Sequence, residues 1–109
     1  MYQGYYDFIL SQKGKQISVY NVAGENGLAS YVLVAHFNTL LENKRFADAF
    51  MKEFGIAQYP EGYSRGEWII FDLGEIVIHS FTGDKREKYN LDKLWQNRRV
   101  NFEVKKSKK

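Results

Sequence analysis

The residues of this chain that could do chemistry are few: three acids around one turn, two histidines and a small basic-aromatic cluster. Asp72 and Glu75 flank Gly74 and could lie side by side, a placement that would suit Mg²⁺ and phosphoryl transfer. Glu67 stands five residues before Asp72, so strand alternation puts those two on opposite faces. Solvated turn residues are the commoner reading of such acids. His36 and His79 have no second ligand at a metal-binding spacing, and the chain has no cysteine. In a strand, His79 reads as a packed or interface histidine rather than a general base. No serine stands in a Gly-x-Ser-x-Gly elbow. The nine glycines form neither a phosphate loop nor a dinucleotide fingerprint. Lys85, Arg86 and Lys88 beside Phe81 and Tyr89 would suit a nucleic acid, but Asp84 and Glu87 interrupt them. The residues point to no catalytic group, no metal site and no cofactor.

Charge and composition narrow the partner. Residues 98–109 carry six basic side chains and one acid, a net of +5; residues 1–97 carry ten basic and twelve acidic, a net of −2. A mildly acidic body with a basic tail is a poor nucleic-acid platform but suits a basic protein partner. The tail could add non-specific, salt-sensitive contact to RNA phosphate, or serve only as a flexible, solubilising end. Aromatic residues make up 17% of the chain, more than a core of this size needs, so some tyrosines and at least one tryptophan belong on the surface. At 109 residues the chain suits one domain, with a radius of gyration of about 13 Å. No apolar run approaches the roughly 20 residues of a membrane helix, and Met1–Leu10 lacks the basic start of a signal peptide. Without cysteines, a reducing, cytoplasmic setting is expected.

The elements that must hold these residues are readable in outline. Tyr2–Gln12 suits a short helix stopped near Gly14, and Gln16–Val22 alternates as a strand. Gly24-Glu25-Asn26-Gly27 is turn chemistry, and Ser30–Ala35 reads as a buried strand. Thr39 and Glu42 form a capping box, and Leu40, Ala47, Phe50, Met51 and Phe54 recur at helical spacing up to a left-handed cap at Gly55. Ile56–Arg65 is a loop or short edge strand. Glu67–Leu73 and Glu75–Thr82 suit an antiparallel pair turning at Gly74. A two-residue loop puts Trp68, Ile70, Asp72, Val77, His79 and Phe81 on one face and Ile69, Phe71, Ile76, Ile78 and Ser80 on the other. The second set is the expected core; the first has the mixed composition of a partly open surface. A helical turn near residues 84–89 and a segment to Trp95 close the domain. These elements predict a single α/β (α+β) domain, a mixed β-sheet flanked by helices, over residues 1–97, followed by the tail 98–109.

One stretch carries more. Residues 66–95 read GEWIIFDLGEIVIHSFTGDKREKYNLDKLW. Gly66-Glu67-Trp68, Asp72, Gly74, His79, Phe81, Arg86, Tyr89, Leu91, Leu94 and Trp95 match fixed types at fixed spacing in the ribosomal silencing factor family, which this stretch resembles. Upstream, the Ala47-Asp48 pair is kept. Ser30-Tyr31-Val32 lacks the family's acidic residue, and Ala35-His36-Phe37-Asn38-Thr39 replaces its usual Ala-Ser-Gly-Thr-Ser. The resemblance spans about residues 15–95, leaving the basic tail as this chain's own.

The resemblance implies a nucleotidyltransferase-like topology and a non-enzymatic role. Members of the family bind the large ribosomal subunit through large-subunit ribosomal protein fourteen. There they block joining of the small subunit, silencing translation under nutrient limitation; some also aid large-subunit biogenesis. The expected contact face is Trp68, Ile70, Asp72, His79 and Phe81, joined by Arg86, Tyr89, Leu94 and Trp95. Leu91, Leu94 and Trp95 could instead seal the core, and Arg86 could pair with Asp72 or Asp84. The expected working form is a monomer or homodimer off the membrane. An RNA-binding module using the basic tail is the rival reading. A nucleotidyltransferase-like enzyme is the weaker one, because the chain has no Gly-Ser followed by a metal-holding carboxylate pair.

Overall fold

A computed structural model describes residues 2–24 and 29–100 of the chain. The elements run α1 (Gln3–Ser11), β1 (Lys15–Asn21), β2 (Tyr31–Phe37), α2 (Leu40–Phe54), β3 (Trp68–Asp72), β4 (Ile76–Thr82), α3 (Gly83–Tyr89) and α4 (Leu91–Leu94), then one 3₁₀ turn at Gln96–Arg98. The four strands form one sheet in the order β1-β2-β4-β3. β1 pairs antiparallel with β2, β2 parallel with β4, and β4 antiparallel with β3. The sheet is therefore mixed, in a single α+β domain with a radius of gyration of 13.3 Å. Most of the Gly24–Gly27 turn and residues 101–109 of the basic tail lie outside the described residues.

Alternation along each strand sorts the side chains into two layers. Val19, Leu33, Ala35, Phe37, Ile69, Phe71, Ile76 and Ile78 face α1 and α2, where Tyr6, Ile9, Phe46, Ala47 and Phe50 complete a closed core. Tyr20, Val22, Val32, Val34 and Phe81 face the other way, under Trp68, Leu91 and Trp95. The β3–β4 register, Trp68 opposite Phe81 through Asp72 opposite Val77, is the one a two-residue turn produces. The Leu73 amide donates to the Ile76 carbonyl at 2.9 Å to close that turn.

The capping of α2 is as its residues dictate. The Glu42 amide donates to Thr39 Oγ1 at 3.1 Å, and Glu42 Oε1 accepts from the Asn38 amide at 3.1 Å. Gly55 ends the helix at φ 66°. Its buried stripe differs from expectation, being Asn43, Phe46, Ala47 and Phe50, while Leu40 and Phe54 are exposed. The reason is Asn43, fully buried yet satisfied: Nδ2 donates to the Gly66 carbonyl at 2.8 Å and the Ser80 carbonyl at 3.0 Å, and Oδ1 accepts from Ser80 Oγ. A polar clamp thus fixes how the helix is rotated on the sheet.

Gly62 controls the approach to β3. A Cβ there would meet the Trp68 carbonyl oxygen at 2.0 Å, and the residue sits at φ 81°. This close pass lets the Ile70 amide donate to the Glu61 carbonyl at 2.9 Å, covering part of the β3 edge. At the opposite edge, the Val100 amide donates to the Val19 carbonyl at 2.7 Å, and Arg99 bridges Tyr20. The chain therefore stays on the body through the first residues assigned to the tail. Among the described residues, no helix is long and apolar enough to cross a membrane.

Candidate protein-binding surface

The sheet face away from α1 and α2 is divided in two. Over β3 and β4, Trp68 is the hub of an aromatic cluster. Its indole lies 5.1 Å from the Phe81 ring, stacked, and 4.6 Å from Tyr89. Trp68 Nε1 donates to His79 Nδ1 at 2.9 Å, which leaves the imidazole proton on Nε2. Trp95 sits 6.3 Å from His79 and 5.9 Å from Tyr20. Burial pushes the His79 imidazole down to about 4, so it stays neutral and keeps accepting from Trp68 at neutral pH.

At the end of β1 and β2 that holds Lys15, Ser18 and His36, a polar network adjoins this cluster, and Arg86 organises it. Nε and Nη2 donate to the two Asp92 oxygens, each at 3.0 Å, a fork-on-fork ion pair. Nη1 reaches the Lys15 carbonyl at 3.2 Å and His36 Nδ1 at 3.0 Å; Nη2 reaches Ser18 Oγ at 3.3 Å. Tyr20 OH also donates to Asp92. Burial opposes ionisation of Asp92, but the hydrogen bonds from Arg86 and Tyr20 outweigh it and hold the carboxyl below the usual range. Burial and the bond to Asp92 push the Tyr20 hydroxyl up to about 12. Burial, then the Arg86 and Lys15 charges, hold His36 below the ordinary histidine value.

The nine expected contact residues take different places. Leu94 is 69% exposed and Tyr89 44%, while Trp68, Ile70, His79 and Trp95 are half-buried on the same face. These six can meet a partner. Phe81 is fully buried and Arg86 is 8% exposed, so neither is open to a partner: Phe81 is the stacking floor of Trp68, and Arg86 is a strut beside the cluster. Asp72 is exposed at the hairpin end, where its Oδ1 accepts from the Gly74 amide at 3.1 Å. Arg86 pairs with neither Asp72 nor Asp84 but with Asp92. Asn90, left-handed at φ 48°, ends α3 and folds α4 back so that Asp92 meets the guanidinium. That partnership spans a helix break, which no helical spacing rule anticipates.

The groups considered for chemistry do not converge. Glu75 accepts from Ser30 Oγ while Asp72 caps its own turn. His36 and His79 share a face but bond to Arg86 and Trp68 separately. Among the described residues, no three His, Cys, Asp or Glu side chains gather as a metal site.

An aromatic face built from the 66–95 stretch is thus held in place by Phe81, Arg86 and Asp92 of the same stretch. Residues 3–109 match the protein family described as "Ribosomal silencing factor during starvation". The chain belongs to that family. The match takes in α1 and the basic end, so the final segment is not outside the family pattern as the resemblance alone suggested. Proteins named ribosomal silencing factor from Halalkalibacterium halodurans and Bacillus subtilis are 35% and 32% identical to it over 88 residues. In each case the alignment covers 77% of this chain and 75% of the relative. That shared name denotes regulation rather than a catalysed reaction. Crystal structures of proteins from Chromobacterium violaceum and Bacillus halodurans superpose with TM-scores of 0.74 and 0.71, at 26% and 30% identity. They cover 89% of this chain, and 84% and 92% of their own lengths.

With membership established, the division of labour within the motif is clearer. Arg86, Tyr89 and Leu91 flank a chain reversal, and Asp92 is the partner of Arg86 that spacing alone missed. An acid directly after Leu91, six residues beyond an arginine that ends up buried, was the available signal.

Proposed function

We propose that this protein binds the large ribosomal subunit through large-subunit ribosomal protein fourteen and sterically blocks joining of the small subunit, silencing translation when nutrients are short. The observation that carries this reading is the half-open aromatic face, in which Trp68 packs against Tyr89 and His79 against Trp95, with exposed Leu94 next to Trp95 in the chain. Rigid aromatic area surrounded by partly covered apolar side chains is the composition of an interface core. The net charge of −2 over residues 1–97 favours encounter with a basic ribosomal protein. Blocking needs only occupancy, because a ligand on free large subunits removes them from association by mass action. No catalytic group or cofactor is required.

The same proposal assigns the partner-binding work to residues 1–97 and a non-specific, salt-sensitive RNA contact to residues 98–109. It places the protein in the cytoplasm, as monomer or homodimer, with a secondary part in large-subunit assembly. It also retains the expected topological likeness to nucleotidyltransferases, without their activity.

The test mixes purified protein with separated subunits under joining conditions and resolves them by sedimentation. Co-migration with large subunits and fewer joined ribosomes is the expected result, with both effects reduced by Trp68→Ala. Undiminished joining without co-migration would overturn the reading. Loss of ribosome binding on deleting residues 98–109, with the aromatic face intact, would favour the RNA-binding module instead.

A further inference from the structure

On the helix-covered side of the sheet, Lys13, Lys15 and Arg45 line one cleft of about 350 Å³ above the buried rings of Phe37 and Phe46. Three of the ten basic residues in a body of net charge −2 therefore meet at one place. Among the described residues, none of the three makes an ion pair. The one acid in the cleft, Glu42, has its Oε1 engaged by the Asn38 amide at 3.1 Å, in the cap of α2.

The backbone that presents the two lysines is under strain. α1 ends with the Gly14 amide on the Ile9 carbonyl at 2.9 Å and the Lys13 amide on the Leu10 carbonyl at 3.0 Å. In this type of helix ending the left-handed position usually falls to glycine, yet here it is Lys13, at φ 72°. Glycine comes one residue later, where a Cβ would strike Ile9 Cγ2 at 2.5 Å. Gln16, just past Lys15, is also left-handed at φ 48°, beside the irregularity in the β1–β2 register. A glycine at position 13 would relieve the strain but remove a charge from the cleft. Retained strain of this kind concentrates where a side chain has work to do.

We propose that this cleft binds the phosphodiester backbone of RNA. Two ammonium groups and a guanidinium around an open concavity match two or three adjacent phosphates, with Arg45 able to grip one oxygen pair in bidentate fashion. The cleft is reachable from the protein-binding face. β2 and β4 run parallel, with Phe37 opposite Thr82, so the cleft beyond β2 and the start of α3 beyond β4 lie at the same end of the sheet. RNA beside the bound ribosomal protein can therefore reach around that end. In the ribosomal setting this inference rests on the function proposed above.

The test uses the full chain and a Lys13→Gln/Lys15→Gln/Arg45→Gln variant, in natural and tail-neutralised backgrounds (Lys105, Lys106, Lys108 and Lys109 each to Gln). Binding to a short labelled RNA hairpin is followed by anisotropy across a salt series, with inorganic phosphate as a separate probe. In both backgrounds the variant should bind roughly tenfold or more weakly at low salt. Its slope of log affinity against log salt should fall by about 2 to 3, close to one per lost phosphate contact. Unchanged RNA affinity and slope would overturn the proposal, as would a variant that loses only inorganic phosphate. Sedimentation with large subunits separates this result from the fate of the proposed function. The cleft variant should still co-migrate, with a shallower salt dependence, whereas Tyr89→Ser/Leu94→Ser should lose co-migration and keep the RNA affinity. If the natural protein does not co-migrate at all, the functional reading fails and the hairpin still decides the cleft.

Discussion

The two faces of the sheet are built from the same strands but to different rules. Beneath α1 and α2, Phe46, Phe50, Phe71 and Ile78 are packed to near-complete burial, with Asn43 and Ser80 as a satisfied polar clamp. On the other face, α3 and α4 leave Trp68, His79 and Trp95 half-covered, and Leu94 projects into solvent. The first face supplies cohesion. The second holds aromatic side chains firmly, through Phe81 below and the Arg86–Asp92 pair beside them, without hiding them. A protein that acts by occupying a surface needs both, since a loosely held aromatic patch would lose entropy on binding.

Substitutions that separate stability from binding would sharpen or break this contrast, beginning with the largest effect. Phe50→Ala should destabilise by about 3–5 kcal/mol, read from the urea midpoint, because it opens a cavity in the closed face. The fraction that stays folded should bind large subunits normally. Arg86→Ala should cost about 3 kcal/mol, since it strands a partly buried Asp92. It should also weaken subunit binding, because α4 and Trp95 lose their anchor. An Arg86→Ala protein of natural stability would show that the strut is not one.

Acid should strain the open face first. In the unfolded chain His79 takes up a proton near pH 6.5, whereas in the folded protein it does so only near pH 4. The unfolded state therefore binds more protons across that window, and stability falls as the pH drops through it, by up to about 3 kcal/mol. Urea midpoints measured from pH 7 to 4 check this, with His79→Gln flattening the profile. At the small end, Leu94→Ser should change stability by no more than about 0.5 kcal/mol, as its side chain lies largely in water.

Which parts could be read from residues alone follows from which forces are local. The α2 helix, with Thr39 and Gly55 at its ends, and the β3–β4 register, with its two-residue turn, depend on capping, turn chemistry and alternation, all of which act over a few residues. The Trp68-to-Phe81 grouping came out of that register. Asn43 was missed because a buried asparagine breaks the apolar period, and its partners at Gly66 and Ser80 are distant in sequence. Phe81 and Arg86 were expected at the surface, but strand and helix patterns do not report how far a second layer covers them. The cationic cleft was equally hidden: Arg45 comes beside Lys13 and Lys15 only when α2 packs near the turn between α1 and β1.

If the half-open face is the one that meets the ribosome, Tyr89→Ser/Leu94→Ser removes the two most exposed side chains of that contact. Both side chains are exposed, so the variant should keep a urea midpoint close to that of the natural protein. In the subunit-joining sedimentation experiment this folded variant should no longer travel with large subunits, and joining should be restored. A folded variant that still co-migrates and still blocks joining would contradict this role of the face.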